Sequence, residues 1–84
     1  MILLEEVVAP GCHICKEFEK FWETIKGDFP NVEFKKIDVT APEGMAIAQK
    51  YMIFASPGII INNELFSTGG FDKEKIVKKL KELS

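Results

Sequence analysis

The two cysteines of this chain stand together in the stretch Pro-Gly-Cys-His-Ile-Cys, as Cys12 and Cys15 with two residues between them. Residues 2–8 before them are rich in Ile, Leu and Val, and this run stops at a Pro-Gly pair as a strand does at a turn. After them, apolar side chains recur at helical spacing: Ile14, Phe18, Phe21, Trp22 and Ile25. The cysteine pair therefore lies at the junction of a strand and a helix that ends near Gly27.

The middle of the chain repeats this alternation. Residues 32–39 alternate apolar and polar side chains, which predicts a second strand. Thr40 with Glu43 three residues later predicts a capping box, and Pro42 suits the first turn of a helix. We expect this second helix to end at about Met52.

The last third predicts a hairpin and a final helix. Asn62-Asn63 separates the apolar runs 58–61 and 64–67, and this pair suits the positive backbone angles of a tight hairpin turn. Asp72, two residues after the Gly69-Gly70 pair, can cap a helix. The inner face of that helix is marked by Ile76, Val77, Leu80 and Leu83.

The element order predicts an α/β fold, βαβαββα. A strand-helix-strand opening implies two parallel strands joined by a right-handed crossover, and the hairpin adds antiparallel strands. We therefore expect a four-stranded mixed sheet with helices on both faces, in a single domain over residues 1–84. Cys12 would then follow the carboxyl end of the first strand, where open α/β sheets place their sites.

Composition excludes several classes of function. The net charge is -2 and all 11 basic residues are lysines, so the chain has neither the basic surface nor the arginines typical of nucleic-acid binding. No apolar run approaches the length of a membrane span. The N-terminal run is short, lacks a basic leader and contains Glu5 and Glu6, which predicts a soluble, cytoplasmic protein. We also expect a monomer.

The cysteine spacing has three interpretations. A purely structural disulfide is the weakest interpretation, because a bridge that encloses so short a loop removes little conformational entropy from the unfolded chain. A zinc site needs about four ligands, and the only other good ligand, His13, lies in the same turn, so a second chain would have to supply the rest. A redox pair fits best. A dimer that shares zinc or an iron-sulfur cluster, and a dedicated redox sensor, stay as alternatives.

Disulfide exchange requires a thiolate, and a free thiol is only about 3% ionised at pH 7. Cys12 begins the helix, where unpaired N-H groups favour an anion, so we expect Cys12 to be the nucleophile and Cys15 the resolving thiol. The turn at Gly11 leaves Cys12 open to a partner. His13 either supports the Cys12 thiolate as an imidazolium or is an exposed surface histidine.

Three stretches resemble the thioredoxin-like superfamily, in particular its small glutaredoxin-like members: APGCHIC, KIDVTAPEGMAIAQKYMIFASPG and STGGFDKEKI. Gly11 stands where thioredoxins usually have tryptophan. The resemblance implies a thiol-disulfide oxidoreductase in which the Ser56-Pro57 bond is cis and Pro57 packs beside the reactive cysteine. It also implies that the backbone of Ser56 pairs with a bound peptide, so that protein disulfides are the substrates.

The resemblance also implies a proton carrier and a reductant. Glu6 stands six residues before Cys12, where thioredoxins keep a buried acid that moves protons for the resolving cysteine. Alternatively, one or both of Glu5 and Glu6 reach solvent at the edge of the sheet. Gly69, Gly70 and Asp72 match the segment that holds glutathione in glutaredoxins, although Ala55-Ser56-Pro57 replaces that family's Thr-Val-Pro. We expect no bound cofactor besides the redox-active disulfide, and either glutathione or a thioredoxin-reductase-type enzyme as reductant.

Overall fold

A four-stranded mixed sheet forms the middle layer of the protein, and the computed structural model describes residues 1–84. The strand order is β2-β1-β3-β4. β1 runs parallel to β2 and antiparallel to β3, and β3 pairs antiparallel with β4, which confirms the predicted fold class. The strands are β1 Ile2–Val8, β2 Val32–Asp38, β3 Gly58–Ile61 and β4 Glu64–Thr68.

Three helices cover the two faces of this sheet: α1 His13–Ile25, α2 Pro42–Tyr51 and α3 Lys73–Leu83. Alternation along β1 sends Leu4 into a core with the buried residues of α1 and α3, and Val7 into a smaller core on the α2 side. A 3₁₀ turn, Lys26–Asp28, follows α1. No helix combines the length and the apolar character that crossing a bilayer requires.

Aromatic rings fix α1 against the sheet. Phe18 is fully buried, and its ring meets Phe71 edge-on with centroids 5.2 Å apart and Phe34 at 6.2 Å. Trp22, one turn further along α1, packs on Phe34 at 5.8 Å. Such pairs add roughly 0.5–1.5 kcal/mol each to the gain from burial. They hold the first turn of α1 above the carboxyl end of β1.

The hairpin between β3 and β4 has the predicted turn. Asn62 and Asn63 adopt φ values of +50° and +64°, the left-handed conformation that asparagine tolerates. Asn62 also ties the turn to β1, because its N-H donates to the carbonyl of Leu3 at 2.8 Å and its Oδ1 accepts from the N-H of Leu3 at 2.9 Å.

The start of α2 differs from the predicted capping box. The N-cap residue is Ala41, which has no side-chain cap, while Pro42 occupies the first turn as expected. Thr40 instead donates its N-H and its hydroxyl to Oδ1 of Asp38, at 2.8 and 2.7 Å. These two bonds lower the pKa of Asp38. The capping-box prediction was wrong because an acceptor two residues earlier holds the threonine.

Gly44 sets how closely α2 approaches the end of β2. A Cβ atom on Gly44 would lie 1.8 Å from the carbonyl oxygen of Asp38 and 2.9 Å from Cα of Val39. Both are backbone atoms that cannot rotate away. A side chain at Gly44 therefore requires the helix to move.

We expect Gly44→Ala to lower the free energy of unfolding by about 2–3 kcal/mol, because the clash outweighs the gain of about 1 kcal/mol in helix propensity. Gly27→Ala is the matched control, since a Cβ there meets nothing within 4 Å. Urea unfolding of both variants measures the difference. A Gly44→Ala protein as stable as the Gly27→Ala protein would contradict the close approach of α2.

Candidate active site at the Cys-x-x-Cys turn

Cys12 and Cys15 form a disulfide at the first turn of α1, with their Cα atoms 5.3 Å apart. Cys12 is the N-cap residue of α1, and its Sγ accepts a hydrogen bond from the N-H of Cys15 at 3.1 Å. Cys15 is buried, with 3% of its surface exposed, whereas Cys12 is partly exposed. Cys12 is therefore the cysteine that a partner molecule can reach first.

The turn that leads into the pair depends on Gly11. Its φ is +74°, a conformation that favours glycine, and the N-H of Cys12 closes the turn by donating to the carbonyl of Ala9 at 3.3 Å. A Cβ on Gly11 would meet nothing within 4 Å, so the backbone angle and not crowding requires glycine. His13, the first residue of α1, is exposed, as expected of a surface histidine.

The loop before β3 has the cis peptide bond that the resemblance implied. The Ser56-Pro57 peptide bond is cis, and Pro57 is fully buried. Ser56 is half-buried, and neither its N-H nor its C=O makes a hydrogen bond within the protein. These two groups are free to pair with another chain.

The segment after β4 lies against this loop. The N-H of Gly69 donates to the carbonyl of Pro57 at 3.0 Å, and a Cβ on Gly69, whose φ is +75°, would lie 3.2 Å from Cβ of Ala55. Gly70 accepts a hydrogen bond from the hydroxyl of Ser67. The structure thus brings Gly69 and the Pro57 loop together.

Asp72 caps the N-terminus of α3. Its Oδ1 accepts from the N-H of Lys75 at 3.1 Å, as the predicted N-cap. With Gly70 and Ile14, Asp72 also lines a shallow depression of about 660 Å³ between the Cys-x-x-Cys helix and α3. Asp72 is therefore placed near the pair, with one oxygen already committed to the cap.

Glu6 lies on the sheet face that α1 covers. It shares that face of β1 with Leu4, is 0% exposed, and neither of its carboxyl oxygens has a hydrogen-bond partner. Burial, with a smaller contribution from nearby Glu19, raises the pKa of Glu6 to about 8, while the positive charge of Lys36 opposes the shift. The alternative in which Glu6 reaches solvent is wrong, because β1 is an inner strand.

Two charged residues near Glu6 escaped the sequence analysis. Glu19 lies one turn after Cys15 on α1, and its Oε1 is 3.2 Å from Nζ of Lys36. Lys36 is the residue directly opposite Glu6 in the pairing of β1 with β2. The sequence shows that Glu19 follows Cys15 by one helical turn. The place of Lys36 beside Glu6 depends on the register between β1 and β2, which the sequence does not show.

The Cys-x-x-Cys turn and the loop before β3 each carry an exposed apolar side chain. Phe54, two residues before Ser56, is 88% exposed, and Ile14 between the cysteines is also exposed. Sequence analysis assigned neither residue to the site. Their exposure distinguishes them from the apolar residues of the two cores.

The sequence profile of the family described as Thioredoxin domain matches residues 5–82. Solved structures with a similar fold include mitochondrial thioredoxin 3 from Saccharomyces cerevisiae, with a TM-score of 0.76 and 24% identity over 96% of this chain and 77% of that one. Thioredoxin from Fasciola hepatica gives a TM-score of 0.75 at 22% identity, over 99% of this chain and 81% of that one. These similarities show the fold.

A curated relative is closer in sequence. Protein disulfide-isomerase A4 from Bos taurus is 35% identical over 89 residues, which cover 98% of this chain and 14% of that protein. The chain thus corresponds to a small part of that larger protein. Since the family profile extends from β1 into α3 and includes both cysteines and the cis-proline loop, the chain belongs to the thioredoxin domain family and is a thioredoxin-like redox protein.

Proposed function

We propose that the protein exchanges electrons with protein disulfides through the Cys12–Cys15 pair, as a thiol-disulfide oxidoreductase. The observation that carries this proposal is the disulfide at the start of α1, with one accessible and one buried cysteine. Such asymmetry separates the two roles that the reaction needs. Membership of the thioredoxin domain family supports the same reaction class.

In the reductive direction, the Cys12 thiolate attacks one sulfur of the substrate disulfide. A Cys12–substrate bond forms, and the other substrate sulfur leaves as a thiolate that takes a proton from water. Cys15 then loses its proton and attacks Sγ of Cys12, which restores the intramolecular disulfide. The second substrate sulfur leaves as a thiolate that takes a proton from water. The substrate gains two electrons and two protons, and the cysteine pair loses them.

Cys12 is suited to the first attack. The N-H of Cys15 donates to its sulfur, and the first N-H groups of a helix lack intrahelical partners, so both favour a thiolate at this position. Cys15 is sheltered from substrate but bonded to Cys12 in the oxidised protein, so it is placed to resolve the mixed disulfide. His13 is exposed beside them and tunes the pair without being required.

Glu6 is the general base for Cys15 in this proposal. A carboxyl group with a pKa of about 8 is matched to removing a proton from a thiol near neutral pH. Its unsatisfied oxygens are free to accept that proton. Its burial on the face of β1 that α1 covers keeps the proton transfer away from bulk solvent.

The substrate is an extended peptide segment around a disulfide. The free N-H and C=O of Ser56 would pair with its backbone as one added strand next to Pro57. Ile14 and Phe54 would contact its apolar side chains. Backbone pairing accepts many sequences, so this recognition favours a broad range of protein disulfides.

The reductant that resets the pair is a thioredoxin-reductase-type enzyme or glutathione. Gly69, Gly70 and Asp72 adjoin the Pro57 loop and the first turn of α1, where a glutathione γ-glutamyl group would sit in a glutaredoxin-like reaction. Turnover with glutathione and glutathione reductase, compared with turnover with thioredoxin reductase and NADPH, separates the two donors.

We expect Cys12→Ser to abolish reduction of a model protein disulfide such as insulin, because the nucleophile is lost. Cys15→Ser should keep the first attack and accumulate the Cys12–substrate mixed disulfide, which mass spectrometry detects. If Cys15→Ser turned over normally, or if it trapped substrate no better than Cys12→Ser, the assigned roles would be wrong.

The redox pair should titrate reversibly. In graded thiol-disulfide buffers, alkylation counted by mass should follow a two-electron transition between roughly -270 and -180 mV. A metal-free protein that forms no intramolecular disulfide in any buffer would contradict the proposal. Metal content and a dimer would then favour a module in which two chains share zinc or an iron-sulfur cluster.

Buried Glu6 should make stability depend on pH. Folding raises its pKa from 4.5 to about 8, so between these values the folded protein binds a proton that the unfolded chain releases. The free energy of unfolding therefore falls as pH rises across this range, by about 1.4 kcal/mol per pH unit at most. Glu6→Gln should remove the fall, so that its stability advantage over the native protein grows from pH 5 to pH 8.

Urea unfolding of the oxidised protein at several pH values measures this. Glu33→Gln, an exposed position on β2, is the matched control and should leave the slope unchanged. Parallel slopes for the native and Glu6→Gln proteins would rule out a raised pKa at Glu6.

A further inference from the structure

We propose that Glu19, held in place by Lys36, is the group through which buried Glu6 exchanges its proton with solvent. The inference rests on the proposed function, in which Glu6 takes a proton from Cys15. It adds a step that the reaction needs, because a base that has taken a proton must lose it before the next turnover.

Glu6 has no route of its own to water. It is fully buried on an inner strand, and neither of its oxygens has a hydrogen-bond partner. β3 presents Ile59 opposite Glu6, and the buried residues of α3 are also apolar. The charged groups that act on Glu6 are Lys36 from β2 and Glu19 from α1.

Glu19 connects this buried group to the surface. It follows Cys15 by one helical turn, so both side chains lie on the same side of α1. Its side chain is 29% exposed, and it lines an open surface depression of about 370 Å³ together with Lys20 and Phe34. Glu19 therefore both acts on the buried carboxyl of Glu6 and is in contact with water.

Lys36 fixes Glu19 but cannot replace it. Its Nζ lies 3.2 Å from Oε1 of Glu19, and its Cα is the register partner of Glu6, so the ion pair draws the Glu19 carboxylate toward Glu6. An ammonium group has donors and no acceptor, so it cannot receive the proton from Glu6. A carboxylate oxygen can accept that proton and pass it on.

The proton then moves in three transfers. The Cys15 thiol gives its proton to the Glu6 carboxylate, and the Cys15 thiolate attacks Sγ of Cys12. The substrate sulfur leaves as a thiolate and takes a proton from water. Glu6, now neutral, gives the proton to the Glu19 carboxylate, and Glu19 releases it to water. Both carboxylates end as they began, and no additional oxidant or reductant is consumed. Glu19 acts through Glu6, so it is a positioning residue.

The test separates attack by Cys12 from resolution by Cys15. Reduced protein is mixed with excess dithiobis-nitrobenzoate, a chromogenic disulfide: the attack by Cys12 releases one coloured thiolate, and the resolution by Cys15 releases the second. The variant is Glu19→Ala. Glu23→Ala is the matched control, because Glu23 is one turn further along α1 in an exposed ion pair with Lys26.

At low concentration of a bulky buffer, Glu19→Ala should slow the second phase by roughly tenfold and leave the first phase within about twofold. This is less than the 10²–10⁴-fold effect of a general base, because water can replace a relay slowly. Added formate, small enough to enter the space left by the side chain, should restore the rate in proportion to its concentration. Glu23→Ala should show neither effect.

Two outcomes would overturn the inference: a second phase of normal rate in Glu19→Ala, or a slowed phase that formate does not restore. Glu6→Gln distinguishes this failure from that of the proposed base. If Glu6→Gln slows the second phase while Glu19→Ala does not, Glu6 keeps its role and only the exit through Glu19 is wrong. If Glu6→Gln also resolves normally, the general base is wrong as well.

Discussion

The packing of α1 across β1 and β2 is the constraint on which the site depends. Phe18 and Trp22 anchor the helix on Phe34, and Phe71 closes the core from the other side. Because a helix is rigid over this length, anchoring its middle also fixes its first turn, where Cys12 is exposed and Cys15 is buried. The same contact covers Glu6 and removes it from water. One hydrophobic interface therefore sets both the accessibility of the cysteines and the protonation of the acid.

Stability and chemistry make opposing demands at Glu6. A buried carboxyl without hydrogen bonds weakens the fold at neutral pH, and an apolar or amide side chain there would suit the core better. In the proposed reaction, Glu6 supplies a proton acceptor whose pKa of about 8 lies near that of a thiol. The charges of Glu19 and Lys36 act on that pKa in opposite directions, so the acid is tuned by its neighbours as well as by burial.

Much of the fold was predictable from local patterns. The strand before Pro10, the amphipathic repeat of α1 and the Asn62-Asn63 turn each carry their own signal, and the βαβ opening then leaves few topologies. The cis bond before Pro57 was expected only from the resemblance to known redox proteins. Other features depend on how the helices pack against the sheet. The N-H of Thr40 had two possible acceptors, the carboxyl groups of Glu43 and Asp38, and it donates to Asp38. Gly44 needs to be glycine only because α2 approaches the carbonyl of Asp38.

The Glu19–Lys36 pair could not be predicted for a similar reason, since the two residues lie 17 positions apart in the sequence and only the packing of α1 on β2 brings them together. Lys36 also lies on β2, an outer strand of the sheet with one unpaired side. A charged, hydrated lysine on such a strand makes it a poor template for a strand from another molecule. The residue that holds Glu19 near the buried acid therefore also protects the open edge of the sheet against aggregation.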